Sequence, residues 1–444
     1  MTFGITRNPA RLVPLAFFVA IWIGTALLML PVSRAGPGGA PFIVALFTST
    51  SAVCVTGLVT VDTPTYWSGF GQAIILAMIQ IGGLGIMTGA TMLGLLVTRR
   101  LRLHHRLLAQ AETRALSLGD IASVLRLILL VTATVELAIA TVLTLRFAQH
   151  YDQPWGEAAW NGLFHAVSAF NNAGFARYTD NVIGFALDPF ILVPLMLAVI
   201  LGGIGFPVLY ELREEFFTPR KWSLHTKITL AGTALLLALG FLLVLAFEWR
   251  NSGTLGPMSS GGKLLNAFFH SVVTRTAGFN SVDIAQMRPE TLLVSDALMM
   301  IGGGSAGTAG GIKVSTFVVL GLIVWAEIRD EPDASAFSRR LSSEVQRQAL
   351  TVVLLAIGIV ATGTLMLLSL TRFGLSEVLF EVVSAFATVG LSTGITASLP
   401  PLGQVTLVCL MFIGRVGTIT VATALALRTT RKPYRYPQER PIVG

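Results

Sequence analysis

Eight stretches of this chain, near residues 12–30, 69–97, 121–147, 187–210, 228–247, 290–328, 350–370 and 402–427, are apolar over a membrane's thickness or more. A helix needs about 20 such residues to cross a hydrocarbon core of about 30 Å. Each stretch therefore predicts one span. Between the members of consecutive pairs lie shorter apolar segments, near 42–53, 160–171, 264–275 and 377–387. At about 12 residues they cannot cross, and a re-entrant helix is the usual alternative. The expected fold is an all-α integral membrane protein with eight transmembrane helices and four re-entrant pore helices. They follow the order span, pore helix, span, four times over.

Composition agrees. Only 12% of the 444 residues are charged and the mean hydropathy is +0.74, whereas a soluble chain carries about 25% charge. The net charge of +8 does not indicate nucleic acid, because the basic residues sit in short stretches between apolar runs. Segments 1–11, 99–114, 213–227, 329–347 and 428–440 hold 20 Lys and Arg, against seven in the alternate loops. The positive-inside rule then places both termini in the cytoplasm of a multi-pass plasma-membrane protein. All four re-entrant segments enter from the outer face. The first apolar run follows Arg7 and Arg11 but lacks a small-residue cleavage site, so it reads as a span and not as a signal peptide. Cys54 and Cys409 both fall in expected intramembrane, buried segments and form no disulfide or thiolate framework.

The short segments end alike: Cys54-Val-Thr-Gly-Leu58, Asn171-Asn-Ala-Gly-Phe175, Arg275-Thr-Ala-Gly-Phe279 and Ala387-Thr-Val-Gly-Leu391. Ten residues before each glycine stands Phe47, Phe164, Phe268 or Phe380. Six before stands Ser51, Ser168 or Ser384, with Val272 in the third case. Beyond each glycine comes a second cluster: Gly82-Gly-Leu-Gly85, Gly202-Gly-Ile-Gly205, Gly302-Gly-Gly-Ser305 and Gly414-Arg-Val-Gly417. Several offsets recurring together define an internal repeat, with units 1–100, 101–221, 222–330 and 331–444. Four like units, each dipping halfway from one face, can surround a common axis.

Non-helical backbone at membrane depth is tolerated only when buried in protein or lining a wet cavity. Carbonyls turned toward a pore satisfy this condition, and a ring of them can replace part of a cation's water shell. The candidate filter is Val55, Thr56 and Gly57; Asn172, Ala173 and Gly174; Thr276, Ala277 and Gly278; and Thr388, Val389 and Gly390. These side chains are neutral, so coordination falls to backbone oxygens. Asp62, Asp180 and Asp283 follow three of the glycines and are placed at the outer mouth, where cation attraction and ordinary loop solvation are both open.

With these motifs the chain resembles the Trk/Ktr/HKT superfamily of potassium transporters over nearly its whole length. It is most similar to the Ktr-type membrane subunit, since it begins directly with the first repeat's outer span. The resemblance implies K+ translocation through a pseudo-four-fold pore and a homodimer in the membrane. It also implies control by a cytosolic KtrA-type ring that carries the nucleotide (ATP/ADP), and possible stimulation by Na+. Glycine in all four repeats favours K+ over the Na+-preferring relatives that have Ser in the first.

The stretch 290–328 is too long for one straight span and holds Gly302, Gly303, Gly304, Ser305, Gly307, Thr308, Gly310, Gly311 and Lys313, too many glycines for a helix interior. Its G-x-G-x-x-G pattern follows an apolar helix rather than a strand, which argues against a dinucleotide site. By resemblance, 302–313 is an intramembrane gate. Arg415 replaces a glycine of the second cluster, and a charge at such depth requires a partner or water. It is expected to face the cavity and bond the loop, with Ser305 and Thr308 as partners; Lys313 reads equally well as an anchor at the inner interface. Glu136 is either structural or a contact to a re-entrant segment. His165, His270 and Glu381 read as inter-helix hydrogen-bonding groups. No nucleophile–base pair, zinc pattern or phosphate loop stands out, which argues against an enzyme. A coupled H+ or Na+ carrier, or a non-conducting sensor of the same fold, are the competing readings.

Overall fold

The computed structural model describes residues 9–105 and 121–417. The ends of the chain, much of the basic 99–114 segment and the distal part of the 402–427 stretch lie outside the described residues. The chain runs α1 (Pro9–Leu28), α2 (Phe42–Val53), the single turn α3 (Thr63–Tyr66) and α4 (Gly69–His105). There follow α5 (Ile121–His150), α6 (Trp155–Phe170), α7 (Pro189–Ile204) and α8 (Phe206–Glu215). Next come α9 (Leu224–Glu248), α10 (Ser260–Val273), α11 (Pro289–Met300) and α12 (Val314–Ile328). A small hairpin, β1 (Ser335–Ala336) with β2 (Arg339–Arg340), leads to α13 (Ser343–Leu370), α14 (Leu375–Phe386) and α15 (Pro401–Phe412), and α15 runs on into a π-helical turn at Ile413–Gly417.

Among the described residues, four helical segments are long and apolar enough to cross a membrane: Gly69–Ala90, Leu125–His150, Leu224–Glu248 and Ser343–Leu370. The other expected spans are shorter or broken. The stretch 187–210 bends by 99° between α7 and α8, at Gly205 (φ +104°) with Pro207 just beyond it. Proline cannot donate into the preceding turn, and a backbone at that φ is open essentially only to glycine. The stretch 290–328 is two helices separated by 302–313.

α2, α6, α10 and α14 cover the four short apolar segments and form the core. Everything from Phe47 to Val53, Phe164 to Phe170, Phe269 to Val273 and Phe380 to Phe386 is buried. The longer helices stand outside and present large apolar side chains outward, among them Phe18, Trp22, Leu137, Leu239, Leu354 and Leu365. That inversion suits a chain whose solvent is lipid.

The recurring offset does not carry the same packing in every repeat. In the third segment the buried aromatic is Phe269, while Phe268, ten residues before the glycine, is 37% exposed. Past the other pore helices, a backbone N–H reaches five residues back, from Thr56 to Ser51 O, Ala173 to Ser168 O and Val389 to Ser384 O. The third segment instead keeps the ordinary helical step, Ala277 N to Val273 O. The tighter winding advances its inward face by one residue.

Candidate functional site

Each core helix ends in the same two-step backbone. The residue two before the glycine is left-handed in every repeat, at Val55 (φ 55°), Asn172 (57°), Thr276 (65°) and Thr388 (51°). The glycine is left-handed as well, at Gly57 (96°), Gly174 (70°), Gly278 (73°) and Gly390 (96°). For β-branched Val55, Thr276 and Thr388 this backbone is a true outlier, costing about 1–3 kcal/mol each unless the surroundings impose it. Four repetitions of one strained conformation mark a functional constraint. The glycines are open to it by type, but at Val55, Thr276 and Thr388 no residue signal points to it, because β-branched side chains disfavour that backbone.

The four glycines close a ring in chain order. A methyl placed on Gly57 would strike the Ala173 carbonyl oxygen, one on Gly174 the Ala277 oxygen at 2.8 Å, one on Gly278 the Val389 oxygen at 2.6 Å, and one on Gly390 the Thr56 oxygen. Each repeat's carbonyl thus abuts the glycine of the repeat before it, and no side chain larger than hydrogen fits there. The twelve residues of the expected filter are brought together as four such segments. Behind the ring, Ser51 Oγ accepts the Gly57 N–H (3.0 Å) and Ser384 Oγ the Gly390 N–H (3.1 Å). Ser168 instead donates to the Phe175 carbonyl (2.7 Å).

The second glycine clusters have a packing role. A methyl on Gly82, Gly202 or Gly414 would collide with the last carbonyl of the adjacent pore helix: Val53, Phe170 or Phe386. In the third repeat the corresponding neighbour of Gly302 is the Gly310 carbonyl, so the loop 302–313 stands where a pore helix end stands elsewhere.

That loop is fastened on several sides. Gly302 N–H bonds Ile312 O (2.8 Å) and Ile312 N–H bonds Met300 O (3.0 Å), which brings its two ends together. Gly304 and Thr308 donate to the Gly203 and Gly202 carbonyls left open by the bend after α7 (2.8 and 3.1 Å). Thr308 Oγ1 donates to Asn172 Oδ1 (2.8 Å), and the Gly310 N–H to Thr276 Oγ1 (3.0 Å). The loop therefore touches the glycine-bearing segments of the second and third repeats, and Gly310 also lies against Thr388 and Ala387 of the fourth.

Arg415, 2% exposed, donates from Nη1 to the Thr308 carbonyl at 2.6 Å; its Nε and Nη2 have no protein partner. Ser305 is not its partner, since the Ser305 hydroxyl faces Ser315 (3.4 Å). Lys313 is no mere interface anchor: its Nζ donates to the neighbouring Ala309 carbonyl (2.6 Å). Two cations are thus drawn onto adjacent carbonyls of one loop.

Beyond the glycines, Asp62 accepts from Thr65 (2.5 Å) and Thr179 (3.0 Å), Asp180 caps Gly184 N–H (2.9 Å) and Asp283 caps Ala285 N–H (3.0 Å). All three are occupied in shaping loops. Glu136 accepts from Gln80 (3.2 Å) and Asn171 (3.0 Å), so it does contact a re-entrant segment. His270 bridges helices through Ser295 (2.9 Å), whereas His165 and Glu381 bond the strands beyond the glycines. Cys54 is buried, but Cys409 is exposed, contrary to expectation.

The model of the family described as TrkH, cation transport protein, matches residues 19–432. The chain is 38% identical to Ktr system potassium uptake protein B of Bacillus subtilis, across 98% of this chain and 97% of that protein. It is 35% identical to potassium/sodium uptake protein NtpJ of Enterococcus hirae, with 98% and 97% covered. The crystal structure of the potassium transporter TrkH from Vibrio parahaemolyticus superposes with a TM-score of 0.73 at 17% identity. That match covers 95% of this chain and 85% of the other, a likeness of fold.

Proposed function

The chain belongs to the TrkH family of cation transport proteins, which are transporters and not enzymes, and from that premise we propose that it carries K+ across the membrane through a channel-like pore. It is a multi-pass membrane protein. The observation that carries the reading is the ring: four glycines and the carbonyls of Thr56, Ala173, Ala277 and Val389 alternating about one point. Backbone oxygens fixed in such a ring substitute for water around a dehydrated cation without a charged side chain. The paired left-handed residues hold the oxygens in place, so the strain they store becomes preorganisation.

Below the ring, 302–313 acts as the gate. It hangs from three filter segments and is held by Arg415, whose charge also opposes a cation in the pathway. The relatives' names support the choice of ion, since they are called potassium or potassium/sodium uptake proteins. The name Ktr system further supports a multi-component assembly. In this reading two copies of the chain associate in the membrane, with both termini cytoplasmic, four span–pore-helix–span units per copy and a cytosolic nucleotide-binding ring controlling the gate. Na+ acts as a stimulator.

Purified protein in liposomes tests the function. Uptake of K+ and Rb+ down their gradients, faster than Na+, is the expected result. Saturable flux that requires a proton gradient would favour a carrier, and absence of flux would overturn the reading.

A further inference from the structure

Two side chains do the same job at the same repeat position. Glu381 and His165 each stand nine residues before the glycine of their repeat, and each accepts the backbone N–H three residues after it. Glu381 Oε1 takes the Thr393 N–H (3.0 Å), and His165 Nε2 the Arg177 N–H (3.3 Å). Glu381 is fully buried and collects three hydroxyls besides: Ser392, Thr393 at 3.4 Å and, on its other oxygen, Thr396 at 2.8 Å. His165 Nδ1 lies 2.7 Å from the Asn161 carbonyl. That contact puts its proton on Nδ1 and leaves Nε2 free to accept, so the neutral ring is fixed in one tautomer by its two partners.

The other two repeats lack this clasp. In the first, the matching pair is Thr48 and Thr60, and neither hydroxyl has a hydrogen-bond partner. In the third, where the winding shifts the register by one residue, it is His270, whose Nε2 is turned to Ser295 Oγ (2.9 Å) on another helix, and Ser281, whose hydroxyl is likewise unpartnered. The second and fourth repeats face one another across the ring, because its contacts run 57 to 174, 174 to 278, 278 to 390 and 390 to 57. The clasped segments are therefore diagonal. In each, the segment that follows the glycine is tied back to its own pore helix, and in the fourth repeat Glu381 also reaches on to Thr396.

We propose that Glu381 and His165 are positioning residues that set ion selectivity: each clasps its filter strand to its own pore helix and so fixes one of two opposed carbonyls at the K+ distance. The idea rests on the transport reading above. Without a clasp, a segment already bent into a strained backbone has a half-buried N–H unpaired and is free to relax inward, where a smaller cation is better served.

The test uses the full-length protein in liposomes, with K+, Rb+ and Na+ flux measured at equal amounts of monodisperse protein. Glu381→Leu is expected to lower the K+ to Na+ flux ratio about tenfold, the scale of one buried hydrogen bond left unmade. Glu381→Gln, which keeps an acceptor for the Thr393 N–H, restores most of it. His165→Leu follows Glu381→Leu. A purely structural role would reduce the amount of folded protein and leave the ratio unchanged. Should Glu381→Leu fail to fold, the double variant Ser392→Ala with Thr396→Val removes hydroxyl donors while keeping the clasp to the backbone, and a smaller fall in the ratio is expected. An unchanged ratio in the foldable variants would overturn the positioning role alone. Absence of wild-type flux would overturn the transport reading and this one with it.

Discussion

The ring and the loop beneath it are built on opposite plans. Every repeat contributes to the ring in the same way, with a left-handed residue, a neutral residue and a left-handed glycine. Only the third repeat supplies the loop, and only the fourth supplies the arginine that holds it. A feature present four times around one axis suits a property that all sides must share, such as the coordination of an ion on that axis. A feature present once breaks the symmetry, and it suits a property, such as opening and closing, that the four sides need not share. In the proposed reading, selectivity belongs to what the repeats have in common, and control to what they do not.

Three substitutions probe that division, and their effects should decline in order. The largest belongs to the ring. Gly174→Ala puts a methyl 2.8 Å from the Ala277 oxygen and 2.7 Å from the Gly278 Cα, on a backbone at φ 70°. Strain of about 1–3 kcal/mol should lower K+ flux by about tenfold or more and abolish discrimination against Na+, as read by liposome flux. Arg415→Ala should act on the loop alone. Loss of a hydrogen bond from a charged donor, about 1.5–3 kcal/mol, should raise basal flux by about tenfold with the K+ to Na+ ratio unchanged. A change of ratio in that variant would break the division. Asp62→Asn should do least. Its carboxylate is exposed and already engaged by Thr65 and Thr179, so a fall in K+ conductance under about twofold is expected, and only at low salt, where surface charge is unscreened.

Much of this arrangement can be read in the residues, and the exceptions have physical causes. The pore helices are legible because their length is wrong for a span, and the ring because four glycines keep their offsets to a phenylalanine and to a second cluster. The loop is legible because glycine is too dense there for a helix. The bend after α7 is hidden because Gly202-Gly-Ile-Gly205 resembles Gly82-Gly-Leu-Gly85, which remains helical within α4. The discriminating signal is Pro207, which the first repeat lacks. Val55, Thr276 and Thr388 carry no local signal for their backbone, since the fold forces it against their preference, whereas Asn172 is a residue type that tolerates it. Phe268 misleads because a change in helical winding cannot be seen in spacing counted from the glycine. The partners of Arg415 are only half legible: the loop is apparent from its position, but the contact is to a main-chain carbonyl that any residue at 308 would offer.

In the proposed reading the carbonyls of Thr56, Ala173, Ala277 and Val389 bind the transported ion. Anomalous diffraction from crystals of the protein grown in Rb+ tests it most directly. A Rb+ peak on the axis of the ring, equidistant from those four oxygens and lost in Gly174→Ala, is the expected result. A peak confined to the side chains of the outer aspartates, or none at the ring in protein that transports Rb+, would contradict it.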